Sequence, residues 1–330
     1  MAMLGALLAV IPKERIFCLH VDHGLRPEQE SGGDADLVAQ FCKKADTHCV
    51  IVSIPPGKIE AYGRRKGIGI EAAARHFRHK ALNNHAEKLG AGKSVRILIA
   101  HTKNDALELA LMRVLRGAGP AGLAFMPESR GKILRPLLSL SRSEIITYLK
   151  EKNIPFREDS TNTDERFLRN RIRHRLMPFL DECFPAWKQG LTGMAKTQSI
   201  MAEFLKEETQ KRICWEQTDR GLETCVKNFF LQSLIIREEA LYSGINLLIL
   251  AKNSHSIIPK RSVIRRFCEG SVKAVDLGKI YIKIKDKKVR VVPKKKEFFE
   301  KGSVMLIKER GNYTFNGLSI KIEHGGMYNV

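Results

Sequence analysis

Apolar and polar positions in the first third of the chain switch between two periods. Residues 15–21, RIFCLHV, and 49–54, CVIVSI, are short β-branched and apolar runs that predict strands; the first opens into a loop at Asp22-His23-Gly24 and the second stops at Pro55-Pro56. Residues 95–100, VRILIA, predict a third strand ending at His101. Between and after these runs, 34–45, Glu71 to Leu89 and Asn104 to Leu115 carry helical spacing, clearest in Ala72, Ala73, Ala74, Phe77, Ala81 and Leu82. The opening MAMLGALLAVI reads as a buried helix. Alternation of strand and helix predicts an α/β fold with a parallel sheet and right-handed crossovers. Ligands of such sheets lie beyond the carboxyl ends of the strands, where Asp22, His23 and His101 fall.

Further along, Ser141-x-x-Glu144 is a capping-box pattern that opens a helix through Lys152. Asp159 to Asn162 reads as a polar turn and 166–176 as an arginine-rich helix, with Pro178 and Pro185 leading out of a first domain. From Trp187 to about Cys268 the spacing is helical. Residues 271–330 change to strand-like alternation, in KIYIKIK, KKVRVV, SVMLIK and LSIKIE. The expected organisation is therefore a first domain over 1–185, a helical middle domain over 186–270 and a basic β-rich segment over 271–330.

Composition sharpens the picture. A length of 330 residues with 43% apolar positions supports more than one packed domain and argues against disorder. The 57 Lys and Arg against 36 Asp and Glu give a formal charge of +21, which implies a polyanionic partner, most simply nucleic acid. The seven cysteines are odd in number and contain no C-x-x-C pair. That argues against a disulfide framework and a structural zinc site, and fits a reducing cytoplasm. No run reaches the ~18 apolar residues that a membrane span needs, so no membrane association is expected.

Candidate chemistry gathers in three places. HVDHGLR at 20–26 sets two histidines and an aspartate at a strand end, and could seat a nucleotide or metal as readily as form a polar turn. Asp105 and Glu108 stand i and i+3 on one helix face, close to His101 and followed by Arg113 and Arg116. Paired carboxylates there can hold an ammonium or a divalent cation, or accept a proton from an amine; alone, such a pair is usually a solvated face. The densest basic cluster is Arg166, Arg169, Arg171, Arg173 and Arg175 with Asn170 and His174; on a helix Arg166, Arg169 and Arg173 share a side. Guanidinium forks match phosphate geometry. Glycines 117, 119 and 122 would let backbone approach a ligand. Two phosphate-loop lookalikes are set aside: Ser31-Gly32-Gly33 does not directly follow a strand, and Gly117 to Gly122, literally G-x-G-x-x-G, follows a helix.

Six segments, in order, resemble one family, the tRNA(Ile)-lysidine synthetases of the PP-loop ATP-pyrophosphatase group: HVDHGLR at 20–26, EAAARHFR at 71–78, AHTKNDALE at 100–108, LRGAGPAGLAFM at 115–126, RPLLSLSRSEI at 135–145 and DSTNTDERFLRNRIRHRLMP at 159–178. The resemblance implies a Rossmann-like, parallel-sheet ATP-pyrophosphatase domain, then a helical domain and a β-rich tail. It implies that ATP adenylates the oxygen on carbon 2 of the wobble cytidine of tRNA(Ile) with a CAU anticodon, and that the amine of free L-lysine displaces AMP to leave lysidine. ATP with Mg2+ would be needed, and a homodimer is compatible. By position Asp105 and Glu108 take the lysine-recognising role, with Arg169 and Arg173 completing the catalytic set. Asp22, His23 and His101 would lie near ATP, and Arg113, Arg116, Gly117, Arg166, Asn170, Arg171 and Arg175 would meet the tRNA.

This chain departs from the family pattern. Thr102, Asn104, Ala106 and Leu109 stand where the family has histidine, aspartate, glutamine and threonine. The family's first strand and SGGxDS phosphate loop would precede Met1, and its C-terminal tRNA-binding domain would follow Val330. Poor ATP binding and little adenylation are the expectations for a chain without that loop. A non-catalytic tRNA-binding remnant is the competing reading. A thiolating relative acting on tRNA is a third, against which the lack of C-x-x-C speaks.

Overall fold

Strand β1 (Phe17–Asp22) and strand β2 (His48–Ser53) lie parallel, with Phe17 opposite His48 and Asp22 opposite Ser53. The computed structural model in which they are seen describes residues 1–25, 28–90, 94–157, 164–165, 167–251, 259–294, 311–315 and 318–322. Arg26, Arg166, the polar turn at 159–162 and the SVMLIK run lie outside these residues. Helix α1 (Ala2–Val10) precedes β1, and helix α2 (Glu28–Lys44) makes the crossover to β2. Leu4, Ile16 and Cys42 form a buried cluster with Leu7, Leu8, Val38 and Phe41 against them, so the opening apolar run is a packed helix, as its composition predicts.

Two helices follow β2. Helix α3 (Lys58–Lys66) escapes a periodicity reading, because its only buried residues are Ile59 and Gly63. Gly57 and Gly67 flank it in the left-handed region. Helix α4 (Ile70–Leu89) packs through Ala73, Ala74 and Phe77 against Val21, Ile54 and Ile59, which fixes it beside the end of β1.

The third strand is shorter than its sequence suggests. Strand β3 is Ile97–Leu98, parallel to β5 (Ile133–Leu134), which also pairs antiparallel with β4 (Ser129–Arg130). Helix α5 (Lys103–Leu115) starts directly after it, and the backbone turns where His101 N–H donates to the Ile99 carbonyl at 2.9 Å. Among the described residues the parallel ladders are thus β1–β2 and β3–β5. The α/β architecture with parallel strands and crossover helices is as predicted. A short helix, α6 (Pro120–Leu123), and helix α7 (Arg142–Glu151) follow. The predicted capping box is present at α7: Glu144 N–H donates to Ser141 Oγ, and Ser141 N–H to Glu144 Oε2 at 2.7 Å.

The arginine-rich stretch is helical but not uniform. Helix α8 (Leu168–Arg171) passes through a π-helical turn, Ile172–Leu176, into helix α9 (Met177–Cys183). Pro178 therefore sits in the first turn of α9, where its missing N–H is tolerated.

The chain forms two compact units, Met1–Ala202 and Glu203–Val330, with helix α10 (Trp187–Arg212) running across the division. The second unit contains helices α11 (Val226–Leu231), α12 (Leu234–Ala251) and α13 (Arg261–Cys268) and an antiparallel sheet of order β6-β7-β10-β9-β8. Its strands are β6 (Glu216–Thr218), β7 (Gly221–Cys225), β8 (Ala274–Asp276), β9 (Ile280–Lys285) and β10 (Lys288–Pro293); β11 (Gly311–Phe315) and β12 (Leu318–Ile322) form a separate antiparallel pair. Strands from both 186–270 and 271–330 share the larger sheet, so the expected boundary at 270 runs through one core, built of Phe229, Leu241, Ile264, Phe267, Ile282 and Val289. The strand-like alternation of KIYIKIK and KKVRVV is borne out as β9 and β10. No described helix is long and apolar enough to cross a membrane.

Candidate functional site

Helix α5 is what aims the paired acids. Thr102 is its N-cap, receiving Asp105 N–H at Oγ1, while Asp105 Oδ2 accepts from the Thr102 N–H and hydroxyl at 2.8 Å each. This capping box fixes the rotamer of Asp105 and leaves Oδ1 facing outward from the helix start. Glu108 lies one turn further along the same face and has no exposed surface.

Helix α8 and the π turn bring two guanidiniums onto these acids. Arg169 donates from Nη2 to Asp105 Oδ1 at 2.5 Å and from Nε to Glu108 Oε2 at 2.6 Å. Arg173 donates from Nε to Glu108 Oε1 at 2.6 Å and from Nη2 to Oε2 at 3.0 Å. The predicted i, i+4 sharing of one face is what lets both arginines reach a single carboxylate. Arg169 also lies 3.6 Å from Glu71 on α4. Two carboxylates and two guanidiniums thus form a network in which the buried Glu108 has charged hydrogen-bond partners on both oxygens. Burial works against the charge on Arg169, but hydrogen bonding and attraction from Glu108, then Asp105, outweigh it and raise its pKa.

Beside this network positive charge accumulates without matching acids. His101, at the end of β3, is buried and shares a hydrogen bond with Arg135 Nε, Nδ1 lying 3.2 Å away. Arg135 Nη1 is tied to the Pro127 carbonyl at 2.8 Å, and Arg113 Nη1 to the Ala124 carbonyl at 3.1 Å. Arg75, Arg78 and His79 project from α4, and Arg130 from β4, into electrostatic range of this group. Burial, then the neighbouring guanidiniums, push Arg78, Arg113 and Arg135 below the ordinary arginine value. Burial and the same neighbours lower His79 to about 4. His101 also falls to about 4, through burial first, with Asp105 opposing and Arg75, Arg135 and Arg78 adding. Arg78 Nε and His79 Nε2 are buried with no hydrogen-bond partner among the described residues. Guanidiniums held this close against mutual repulsion, with unmet donors among them, make a basin suited to an anion.

The other predicted residues are placed as follows. Asp22 ends β1 and accepts the Gly24 N–H at 3.0 Å, forming the polar turn; His23 stands beside it. No described hydrogen bond or ion pair links Asp22 to Asp105, but α4 packs on the end of β1 and carries Arg75 and Arg78 toward His101. Gly117 takes φ +67° and closes α5, its N–H donating to the Val114 carbonyl at 3.0 Å, so its freedom is used to stop a helix. Arg116 is exposed at that helix end. Asn170 is buried and donates to the Asp164 carbonyl at 2.9 Å, a structural bond. Arg171 and Arg175 face away from the acids and line an apolar groove of about 500 Å³ with Leu115, Leu168 and Phe179; Arg175 pairs with Glu165. His79 and Arg130 are functional candidates that only the fold reveals, and it gathers with them Arg75, Arg78 and Arg135 from the segments at 71–78 and 135–145. The i, i+3, i+4 spacing of 75, 78 and 79 sets them on one side of a helix, while Arg130 arrives on a strand too short to detect.

Parallel strands with crossover helices, and guanidiniums gathered near the strand ends, define the first unit as an α/β domain with a basic site at its strand ends. The chain belongs to the PP-loop domain family, whose model matches residues 1–180. It is similar to the tRNA(Ile)-lysidine synthase of Treponema denticola, 44% identical over 193 residues, which cover 58% of this chain and 41% of that protein. The synthase of Thermosipho africanus is 35% identical over 195 residues, 59% of this chain and 44% of its own. That of Solibacter usitatus is 34% identical over 278 residues, 81% of this chain and 54% of its own. The chain spans about half the length of the curated relatives it matches. Among solved structures, the U34-tRNA thiolase NcsA from Methanococcus maripaludis, with its 4Fe-4S cluster, aligns over 60% of this chain and 67% of its own at TM-score 0.47 and 15% identity.

Proposed function

We propose that this protein modifies tRNA by ATP-dependent ligation, joining L-lysine to carbon 2 of the wobble cytidine of tRNA(Ile) with a CAU anticodon. ATP adenylates the oxygen on carbon 2 with release of pyrophosphate. The lysine amine then displaces AMP. The observation that carries the reading is the adjacency of the Asp105–Glu108–Arg169–Arg173 network to the unbalanced basin of Arg75, Arg78, Arg113, Arg130 and Arg135. Such a ligation needs both: acids to receive an ammonium, and fixed positive charge to hold phosphates and stabilise the departing nucleotide. The names of the relatives support the same reading.

In this account Asp105 and Glu108 receive the cationic end of lysine. They exchange part of their hold on Arg169 and Arg173 for the ligand, so those guanidiniums become available to phosphate. His101, uncharged at neutral pH, hydrogen-bonds with Arg135 and keeps that guanidinium aimed at the basin. Asp22 and His23 line the nucleotide side of the strand ends. Arg113, Arg116, Arg171 and Arg175 supply tRNA phosphate contacts. Mg2+ would enter with ATP, held by the phosphates and by one or two carboxylates of the site, and would offset phosphate charge.

The test is AMP release from the full chain. AMP should appear only when ATP, lysine and tRNA(Ile) are all present, and Asp105→Asn should raise the lysine concentration required more than the ATP concentration. Salt-sensitive tRNA binding without AMP release would replace this reading with a non-catalytic tRNA binder.

A further inference from the structure

Cys18, Cys42 and Cys49 fit no metal-binding sequence spacing, and on spacing alone a zinc site is disfavoured. The fold reverses that conclusion. Cys18 on β1 and Cys49 on β2 are direct register partners in the parallel ladder, so their side chains leave the same face of the sheet. Cys42, near the end of α2, packs onto that face and is 0% exposed. All three are free thiols, and their sulfur atoms all lie within 4.8 Å of one another. Three sulfurs at about 2.3 Å from one ion would stand about 4 Å apart in a trigonal arrangement. Closing the widest gap therefore takes less than about 1 Å of side-chain adjustment.

We propose that Cys18, Cys42 and Cys49 form a three-sulfur site for a thiophilic metal ion, with Zn2+ the ion that fits. The surroundings select for softness. The thiols sit among Leu4, Ile16, Val38 and Phe41, and no carboxylate or imidazole converges with them among the described residues. Hard ions such as Mg2+ or Ca2+ have nothing there to bind. Charge selects between the soft ions. Three thiolates around Zn2+ leave one net negative charge, matched by the Met1 amino group that lies in electrostatic range of Cys18 and Cys42, whereas Cu+ leaves two. Cys18 and Cys49 are only half-buried, which gives the ion a path in and room for water as the fourth ligand.

Burial, then the neighbouring sulfurs, push the thiols up, Cys42 to about 11, so the metal-free cluster is uncharged at neutral pH. Binding is a proton exchange: one Zn2+ replaces three thiol protons, which leave to solvent, and no oxidant or reductant takes part. The site would staple α2 to both strands of the parallel pair. It would hold the start of β1, at the opposite end of the strand from Asp22.

The full chain, purified reduced and stripped with a chelator, is titrated with ZnCl2. Alkylation of each cysteine is then followed by mass spectrometry. One equivalent of zinc should bind and protect the half-buried Cys18 and Cys49, while Cys183, Cys214 and Cys225, all exposed, continue to react. Zinc should also raise the melting temperature. In C18A/C49A, which leaves the buried Cys42 in place, zinc affinity should fall by more than the roughly 10–100-fold that loss of a supporting partner costs. CuCl under anaerobic conditions is the second arm, and tighter one-equivalent protection by copper would overturn the assignment to zinc. Unchanged alkylation of Cys18 and Cys49 with zinc, or zinc protecting only the exposed cysteines, would overturn the site itself. The wild-type alkylation result decides the matter even where a variant misfolds.

Discussion

Glu108→Gln tests the network in which the candidate site is built. The substitution keeps the side-chain shape and removes its charge. Glu108 is 0% exposed and accepts three guanidinium hydrogen bonds at 2.6, 2.6 and 3.0 Å. Removing one partner of a buried pair costs roughly 3–5 kcal/mol, because the remaining charge stays desolvated. Here the arginine side chains retain 27% and 21% exposure, and Arg169 keeps Asp105, so water and the second acid recover part of the loss. The expected destabilisation is about 2–4 kcal/mol. For a unit of this size that is a fall in melting temperature of roughly 4–16 °C, read by circular dichroism with urea melts alongside. Glu144→Gln, at the exposed capping box of α7, is the control and should change little. Combining Glu108→Gln with Arg173→Leu should cost less than the sum of the two single changes. A loss below about 0.5 kcal/mol for Glu108→Gln, the range of ordinary surface changes, would refute the picture of a carboxylate clamped by both arginines.

Other consequences are equally direct. Arg116→Ala and Arg171→Ala should weaken tRNA binding and flatten its salt dependence, by about 0.7–0.9 in the slope of log K against log salt for each phosphate no longer neutralised; an unchanged slope removes them from the tRNA contacts. His101 has a folded pKa near 4 against an ordinary 6.5, so the unfolded chain takes up its proton first as pH falls. The stability it contributes is complete above about pH 6.5 and declines between there and about 4, and His101→Gln should reduce that slope in urea melts across the window; a wild-type profile would contradict the burial argument. Gly24 has φ +60°, and an added Cβ would meet the Ile54 carbonyl oxygen at 2.4 Å. Gly24→Ala should therefore cost about 1–3 kcal/mol, and equal stability by the same melts would show that the turn after β1 can re-form.

Periodicity makes the helices and strands of the first unit legible wherever a segment is long and one face is buried, as with β1, β2, α4 and α5. It fails where pairing and not pattern makes the element. Strands β4 and β5 have two residues each, and β6 with β7, in a stretch that reads as helical, is strand only because β10 lies alongside. The acids are readable because i, i+3 spacing survives on a helix, and Arg169 with Arg173 because i, i+4 spacing persists across the π turn. The basin is not readable as a unit. Its arginines come from α4, α5, β4 and the segment just after β5, and only the fold collects them. The cysteine trio is the same lesson in a different chemistry: register across β1 and β2 creates a closeness that linear spacing conceals.

The central claim is that this site joins an amino acid to a tRNA base, and its most direct measurement is of the product. tRNA(Ile) with a CAU anticodon is incubated with the full chain, ATP and isotopically labelled lysine, then digested to nucleosides and analysed by mass spectrometry. The account predicts that the label appears in a single nucleoside, cytidine carrying lysine in place of its carbon-2 oxygen, and disappears with Asp105→Asn at low lysine. Bound tRNA whose cytidines remain unlabelled at saturating ATP and lysine would contradict it.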